Sequence, residues 1–235
     1  METDGQEWHK LSIERKIGTQ IGTWTERKEK RDRSFVTISR EFGAEGWILG
    51  QKLEHLLNKE NKHNPPWVAY NKEILKKLEE DQHLSAQLVE SLEKPEQNAI
   101  TEFFDNYFGD KPSRIAIYKK TARVIKTLAS NGHVILVGRG GCFITHKMNK
   151  GFHVRCVAPF DFRVQNIMKQ QSLSQKDSEK LIQKMETERD AFVQDYFFTD
   201  VSNPHYYDLV INTSRFTLDD AVDLIYYSME KRGLL

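Results

Sequence analysis

Arginine and glycine occur together at two points where a short apolar run ends. The segment SREFGAEG, which contains Arg40, follows one such run, and the segment GRGG, which contains Arg139, follows another. Glycines let the backbone approach an oxyanion, and backbone N–H groups together with a forked guanidinium can then bind its charge. Two more arginines, Arg163 and Arg189, come later in the chain. Several arginines that converge on one site suit phosphoryl transfer, because that chemistry depends on positioning and charge neutralisation.

The apolar pattern predicts short strands that alternate with helices. Such alternation is typical of a parallel sheet that helices cover on both faces, so the predicted fold class is α/β. Strands are predicted at 35–38, 67–70, 133–137, 152–158 and 209–212. Helices are predicted at 48–57, 73–80, 85–93, 97–107, before 131, and from about 161, 174 and 217.

The predicted sheet places the two arginine–glycine segments together. In open parallel sheets, ligands bind beyond the carboxyl ends of the strands, and both segments directly follow predicted strands. Between Arg163 and Arg189 the polar segment 170–176 is predicted to be mobile. We expect that mobility to let the two arginines close over a polyanion.

Composition excludes several classes of protein. The 235 residues include 35 Lys and Arg against 34 Asp and Glu, so there is no basic excess of the kind that a nucleic-acid binder shows. No apolar stretch approaches the roughly 18 residues of a membrane span, and the first residues lack a secretory pattern. Cys142 and Cys156 form neither a disulfide scaffold nor a zinc motif. A cytoplasmic protein without nucleic-acid or membrane partners and without a protein-bound metal is therefore expected.

Residues 1–33 differ from the rest and are predicted to form a charged N-terminal extension. Eight charged residues, ERKEKRDR, run from Glu26 to Arg33 and cannot bury a face. Apolar residues before that run could form one amphipathic helix that packs on the domain or on a partner. We expect an extension that decorates the fold, and a protein partner or self-association through it stays open. The apolar residues are Trp8, Leu11, Ile13, Ile17, Ile21 and Trp24.

From residue 34 to the C-terminus the sequence resembles the cytidylate kinase-like family of nucleoside monophosphate kinases. The motifs that carry the resemblance occur in the right order, and the most specific are ISREFG, VGRG and YDLVINTS. The resemblance implies a five-stranded parallel P-loop core with helices on both faces. It also implies a helical insert over the monophosphate site at about 71–112 and a lid at about 163–196.

The resemblance also implies roles for individual residues. Residues 39–48 would form the loop for the ATP phosphates, and Mg²⁺ would arrive with ATP and be held by nucleotide oxygens and water. Arg40, Arg163 and Arg189 would offset charge on the transferred group, and CMP or dCMP would be the phosphate acceptor. The loop residues are Ser39, Arg40, Gly43, Ala44, Glu45, Gly46, Trp47 and Ile48, and the monophosphate-binding residues are Arg139, Gly140 and Lys72.

The loop departs from the pattern of true cytidylate kinases. In those enzymes a lysine contacts the phosphates and a hydroxyl residue holds Mg²⁺. Gly46 stands where that lysine would be, and Ile48 replaces the threonine. Three hypotheses therefore remain open: an ATP-dependent kinase for CMP or dCMP, a nucleotide-binding regulatory module without catalysis, and a phosphotransferase with another small acceptor.

Overall fold

A computed structural model of the protein describes residues 12–26, 33–60, 65–92, 94–108 and 113–235. Five strands form one parallel sheet in the order β2-β3-β1-β4-β5, which confirms the predicted α/β class. The strands are β1 (Phe35–Arg40), β2 (Val68–Tyr70), β3 (Val134–Val137), β4 (Gly151–Val157) and β5 (Leu209–Asn212).

Helices flank the sheet on both faces. Each predicted helix is present, and a five-residue helix after β3 and a single 3-10 turn at Pro204–Tyr206 were not predicted. The α-helices are α1 (Ile13–Glu26), α2 (Gly46–Glu60), α3 (Lys72–Glu80), α4 (Gln82–Glu90), α5 (Lys94–Phe108), α6 (Ser113–Asn131), α7 (Gly141–Thr145), α8 (Phe160–Gln171), α9 (Gln175–Phe197) and α10 (Leu218–Lys231).

Alternate strand residues supply two separate cores. On one face, Val68, Tyr70 and Leu136 pack with buried residues of α1, α3, α4, α5 and α6. On the other face, Ile38 and Val154 pack with buried residues of α2 and α10. Burial on both faces follows from the near-continuous apolar runs of β1 to β4, as expected for a parallel sheet.

Helix α1 packs on the same chain. Ile17, Ile21 and Trp24 are buried in the first core, and Lys16 Nζ lies 2.5 Å from a carboxylate oxygen of Glu54 in α2. The amphipathic helix of the extension therefore contacts its own domain. Residues 1–11 and most of the charged run 26–33 lie outside the described residues, so a partner for them stays a prediction.

Side chains cover the outer edge of β2. Asn58 in α2 accepts from Trp67 N at 2.8 Å and donates to Trp67 O at 3.0 Å. Glu54 accepts from Ala69 N at 2.9 Å, and Gln20 in α1 donates to Pro66 O at 3.0 Å. Backbone N–H groups alternate in direction along a strand, and Val68 N donates to His133 O at 3.1 Å, so the N–H groups of Trp67 and Ala69 face away from β3.

The predicted lid is a hairpin of α8 and α9. Its connection is short: Ser172 ends α8 in the left-handed region, and Ser174 caps α9 by accepting from Asp177 N. At its other end α9 joins an aromatic cluster with Tyr118 of α6 at its centre. Around Tyr118 lie Phe192, Tyr196 and Phe197, with ring centroids 4.9, 4.7 and 6.0 Å away.

Candidate functional site

A cavity of about 360 Å³ opens at the carboxyl edge of the sheet. Its walls come from the ends of β1 and β3, from Arg155 on β4, from α9 and from the loop 200–202. Parallel strands end there, which is where open α/β sheets bind ligands. The volume is within the range of small-molecule sites.

The cavity brings together some of the predicted site residues and leaves others outside. Seven of the predicted site residues, all in the part of the chain that the structure describes, do not line the cavity. Six of them belong to the predicted phosphate loop, and the seventh, Lys72, is exposed at the beginning of α3. The lining residues among those predicted are Ser39, Arg40, Arg139, Gly140, Arg163 and Arg189. Those outside the cavity are Gly43, Ala44, Glu45, Gly46, Trp47, Ile48 and Lys72.

The turn after β3 holds Arg139 in a strained backbone conformation. Gly138, Arg139 and Gly140 have φ angles of 84°, 54° and 68°, and a non-glycine residue in this left-handed region costs about 1–2 kcal/mol. The Tyr118 hydroxyl holds the turn by donating to Arg139 O at 2.6 Å. Nε of Arg139 is buried and has no hydrogen-bond acceptor among the described residues. Backbone strain and an unsatisfied buried donor are features that occur at ligand sites.

Arg40 lies across the same turn. A Cβ placed on Gly138 would lie 2.1 Å from Arg40 Nη1, so only glycine leaves room for this guanidinium. Burial lowers the pKa of Arg40, and the charge of Arg139 acts in the same direction. No carboxylate in the described ranges forms an ion pair with Arg40. The positive charge is therefore poorly compensated within the protein.

Arg189 approaches Arg40 from α9. Its Nη1 donates to Arg40 O at 3.1 Å, and its guanidinium lies 5.1 Å from the ring centroid of Phe42. Burial and, second, the charge of Arg40 lower the pKa of Arg189 to about 9. The charge of Arg40 disfavours the charged form of Arg189, and an anion near the two groups would favour it.

Arg163 has a different environment from the other arginines. Its Nη1 lies 2.5 Å from Glu186 of α9, and its Nε lies 3.4 Å from Glu41 and donates to Ala158 O at 2.9 Å. The side chain is 8% exposed. Arg163, which lies in α8, therefore links the loop after β1 to α9. Its positive charge is compensated by two carboxylates, so it is a weak candidate for binding an anionic ligand.

The loop after β1 is packed against protein groups. The carbonyl oxygens of Phe42, Gly43 and Ala44 accept from Arg163 Nη1 at 3.3 Å, Asn166 Nδ2 at 3.0 Å and Thr213 Oγ1 at 3.4 Å, respectively. A Cβ on the buried Gly46 would lie 2.9 Å from Cβ of Arg40. The position where true cytidylate kinases carry the loop lysine therefore has no space for a side chain.

Sequence reasoning missed Arg155 in β4, which lines the cavity and is 6% exposed. A signal for it exists in the strand GFHVRCV. Phe152, Val154 and Cys156 alternate with His153 and Arg155, and the latter two face the opposite side of the sheet. Basic residues at alternate positions of a buried parallel strand are unusual enough to indicate a polar site.

The site offers few ligands for a metal of its own. Across the described ranges no group of three or more His, Cys, Asp or Glu side chains is placed to hold a metal ion.

None of the described helices combines the length and the apolar character that crossing a membrane requires.

Comparison with known proteins identifies the family. The model of the cytidylate kinase-like family matches residues 35–215, so the chain belongs to this family, and the resemblance carried by its motifs is confirmed. No curated protein matches the sequence significantly. The chain is similar in fold to the crystal structure of an uncharacterized protein from Eubacterium ventriosum ATCC 27560, with a TM-score of 0.66 and 19% identity over 85% of this chain and 99% of that one. Family and fold support a nucleotide kinase-like protein.

Proposed function

We propose that the protein is a nucleoside monophosphate kinase-like phosphotransferase that converts ATP and CMP or dCMP to ADP and CDP or dCDP. Family membership supports the reaction class. The observation that carries the proposal is the cavity at the carboxyl edge of the sheet, where Arg40, Arg139 and Arg189 present guanidinium groups that no described carboxylate pairs with at ion-pair distance. An oxyanion ligand would supply the missing compensation.

Each arginine has a distinct proposed role. Arg139 would hold the acceptor phosphate, because its strained turn fixes the side chain at a rigid strand end. Arg40 and Arg189 would bind the transferred phosphoryl group between them, where charge develops in the transition state. Arg163 is assigned a positioning role, since its contacts to Glu41 and Glu186 hold the lid against the loop after β1.

ATP would bring Mg²⁺ to the site. Mg²⁺ usually keeps several waters and takes one or two carboxylates together with substrate phosphates. Asp190 and Asp200 line the cavity and are of the right chemistry, whereas Glu41 and Glu186 already pair with Arg163. The residues therefore fit a metal that the nucleotide carries. In this role Mg²⁺ would neutralise charge on the phosphates.

A specific observation favours a second candidate function, a nucleotide-binding module without catalysis. Three successive carbonyls of the loop after β1 are bonded to side chains, and Gly46, which stands where the lysine would be, lies against Arg40. Such a loop keeps the fold but lacks the side chain that in true cytidylate kinases contacts the donor phosphates. The acceptor half of the site would then bind a nucleotide and signal its presence.

Ligand binding and turnover separate the two functions. A thermal-shift screen of nucleoside mono-, di- and triphosphates, with and without Mg²⁺, should raise the Tm for CMP or dCMP, since a ligand at a hundredfold excess over Kd stabilises by about 2.7 kcal/mol. Arg139→Met should remove that shift, and Arg215→Met, at an exposed position outside the cavity, should keep it.

An assay of ADP release on the ligands that bind then decides between the functions. Turnover with ATP supports the kinase, and binding without turnover supports the module. Turnover with a different acceptor corrects the substrate, and absence of any nucleotide shift contradicts both functions.

A further inference from the structure

Arg155 lies in an interior strand of the sheet, where a charged residue is rare. β4 runs between β1 and β5, and Arg155 is in register with Ser39 on one side and Val210 on the other. Its side chain is among the lining of the cavity, although the residue is more than nine-tenths buried. Lys and Arg are almost never buried to this degree unless they are paired.

The hydrogen-bond and ring partners of Arg155 are neutral groups. Hydrogen bonds from Ser202 and, to a smaller degree, the charge of Arg155 lower the pKa of Asp200, which lines the same cavity. Nη1 of Arg155 donates to Ser39 Oγ at 3.3 Å, and the guanidinium lies 5.7 Å from the ring centroid of Tyr207. The Tyr207 hydroxyl is held in turn, because it donates to Val201 O at 2.7 Å. No carboxylate of the described residues lies within ion-pair distance of this guanidinium. Arg163, similarly buried in the same cavity, has two.

A buried cation with neutral partners is unfavourable, and an anion in the cavity would remove that cost. The cost of desolvating an ion is recovered only by an opposite charge with good hydrogen-bond geometry. The Ser39 hydroxyl adds a donor beside the guanidinium, because it accepts from Arg155 and keeps its own proton. Together the three side chains form a pocket that suits a phosphate.

This pocket is separate from the site at Arg139. Arg139 follows β3 and Arg155 is in β4, and β1 lies between them, so their backbones are two strand spacings apart, roughly 10 Å. The contacts to Ser39 in β1 and to Tyr207, which precedes β5, hold the Arg155 guanidinium between these two elements. An acceptor phosphate bound at Arg139 would leave Arg155 without an ion-pair partner.

We propose that Arg155, Ser39 and Tyr207 form a second phosphate subsite, and that the natural ligand of the cavity carries two phosphate groups on separate positions. The chemical class is a nucleotide with a phosphate besides its 5′-phosphate, such as a nucleoside 3′,5′-bisphosphate. The inference rests on the proposed function, because it takes the first phosphate to lie at Arg139.

Calorimetric titration of the full chain with CMP and with cytidine 3′,5′-bisphosphate tests the subsite. The bisphosphate should bind wild type at least tenfold more tightly than CMP. Arg155→Met, which keeps an unbranched side chain and removes the charge, should abolish this advantage and leave the Kd for CMP within about threefold. Arg155→Lys should retain part of the advantage, and Arg215→Met should retain all of it.

The outcomes separate this inference from the proposed function. Binding of CMP with no gain from the second phosphate, or with a gain that persists in Arg155→Met, overturns the subsite and leaves the proposed function intact. If neither nucleotide binds, the proposed function fails, and inorganic phosphate becomes the probe. A phosphate-induced rise in Tm that falls in Arg155→Met and persists in Arg139→Met then supports the subsite. A phosphate effect that is absent, or independent of Arg155, overturns it.

Discussion

The connections that follow β1 and β3 have the same ingredients and opposite environments. Each leads from a strand into a helix and combines glycines with an arginine at the carboxyl edge of the sheet. In the loop after β1, three consecutive carbonyls accept from side chains of the protein. In the turn after β3, Arg139 is strained and its Nε has no acceptor among the described residues. The unsatisfied donor therefore makes the turn after β3 the stronger candidate for contact with a ligand.

The largest effect is expected from restoring the missing lysine, Gly46→Lys. A side chain there would collide with Arg40 and would bring a charge into a buried position, so the free energy of unfolding should fall by about 3 kcal/mol or more. Urea unfolding measures this loss. Ile48→Thr at the neighbouring half-buried position is the control and should cost less. A stable Gly46→Lys protein with faster phosphoryl transfer would show that the loop can still hold the donor.

Arg189→Ala tests whether α9, the predicted lid helix, contributes a residue to the reaction in the cavity. Arg189 contacts the backbone of Arg40 and has its own charge disfavoured there, so its removal should not lower the Tm. In an enzyme that turns over, kcat should fall about a hundredfold, about 3 kcal/mol, with a smaller change in KM. Steady-state kinetics measure both. Unchanged kinetics would remove Arg189 from the site.

A buried histidine in β4 predicts a dependence of stability on pH. His153 is buried in β4 with Nδ1 2.8 Å from Thr37 Oγ1, and burial lowers its pKa to about 4. The unfolded chain, with a pKa near 6.5, binds the proton first as the pH falls. Stability should therefore decrease between pH 6.5 and 4, by roughly 2–3 kcal/mol from this group.

Chemical unfolding at several pH values measures the slope. His153→Gln should flatten the curve in this window, whereas His205→Gln at an exposed position should not. An unchanged slope in His153→Gln would assign the pH dependence to other groups.

The smallest effect is a gain, from Arg139→Gly. Glycine adopts the φ of 54° at this position without a steric cost, so the Tm should rise by an amount that corresponds to about 1 kcal/mol. The same change should weaken nucleotide binding at least tenfold, because a charge-assisted contact is lost. A rise in Tm together with a loss of nucleotide affinity would show that the backbone strain at Arg139 belongs to the binding site. A loss of both would indicate that Arg139 is structural.

Local signals made much of the fold predictable. Apolar runs located the five strands, and the Ser174 and Thr217 caps marked the starts of α9 and α10. What depends on distant partners was not predictable. The compensation of Arg163 comes from Glu41 and Glu186, which lie far from it in sequence, and the exclusion of Lys72 from the cavity depends on how α3 packs. Arg155 was missed because the alternation of His153 and Arg155 in β4 is not a recognised motif, although it is visible in the sequence.

The side chains of α2 that cover the outer edge of β2 have a consequence for the association of whole molecules. An edge strand with free N–H and C=O groups is a template on which another chain can add a strand. Asn58 occupies both backbone groups of Trp67 in the manner of a neighbouring strand, and Glu54 takes the N–H of Ala69. Growth of the sheet by strand exchange or aggregation is therefore blocked at this edge. Replacing Asn58 with an apolar residue would uncover a hydrogen-bonding edge that the native protein keeps closed.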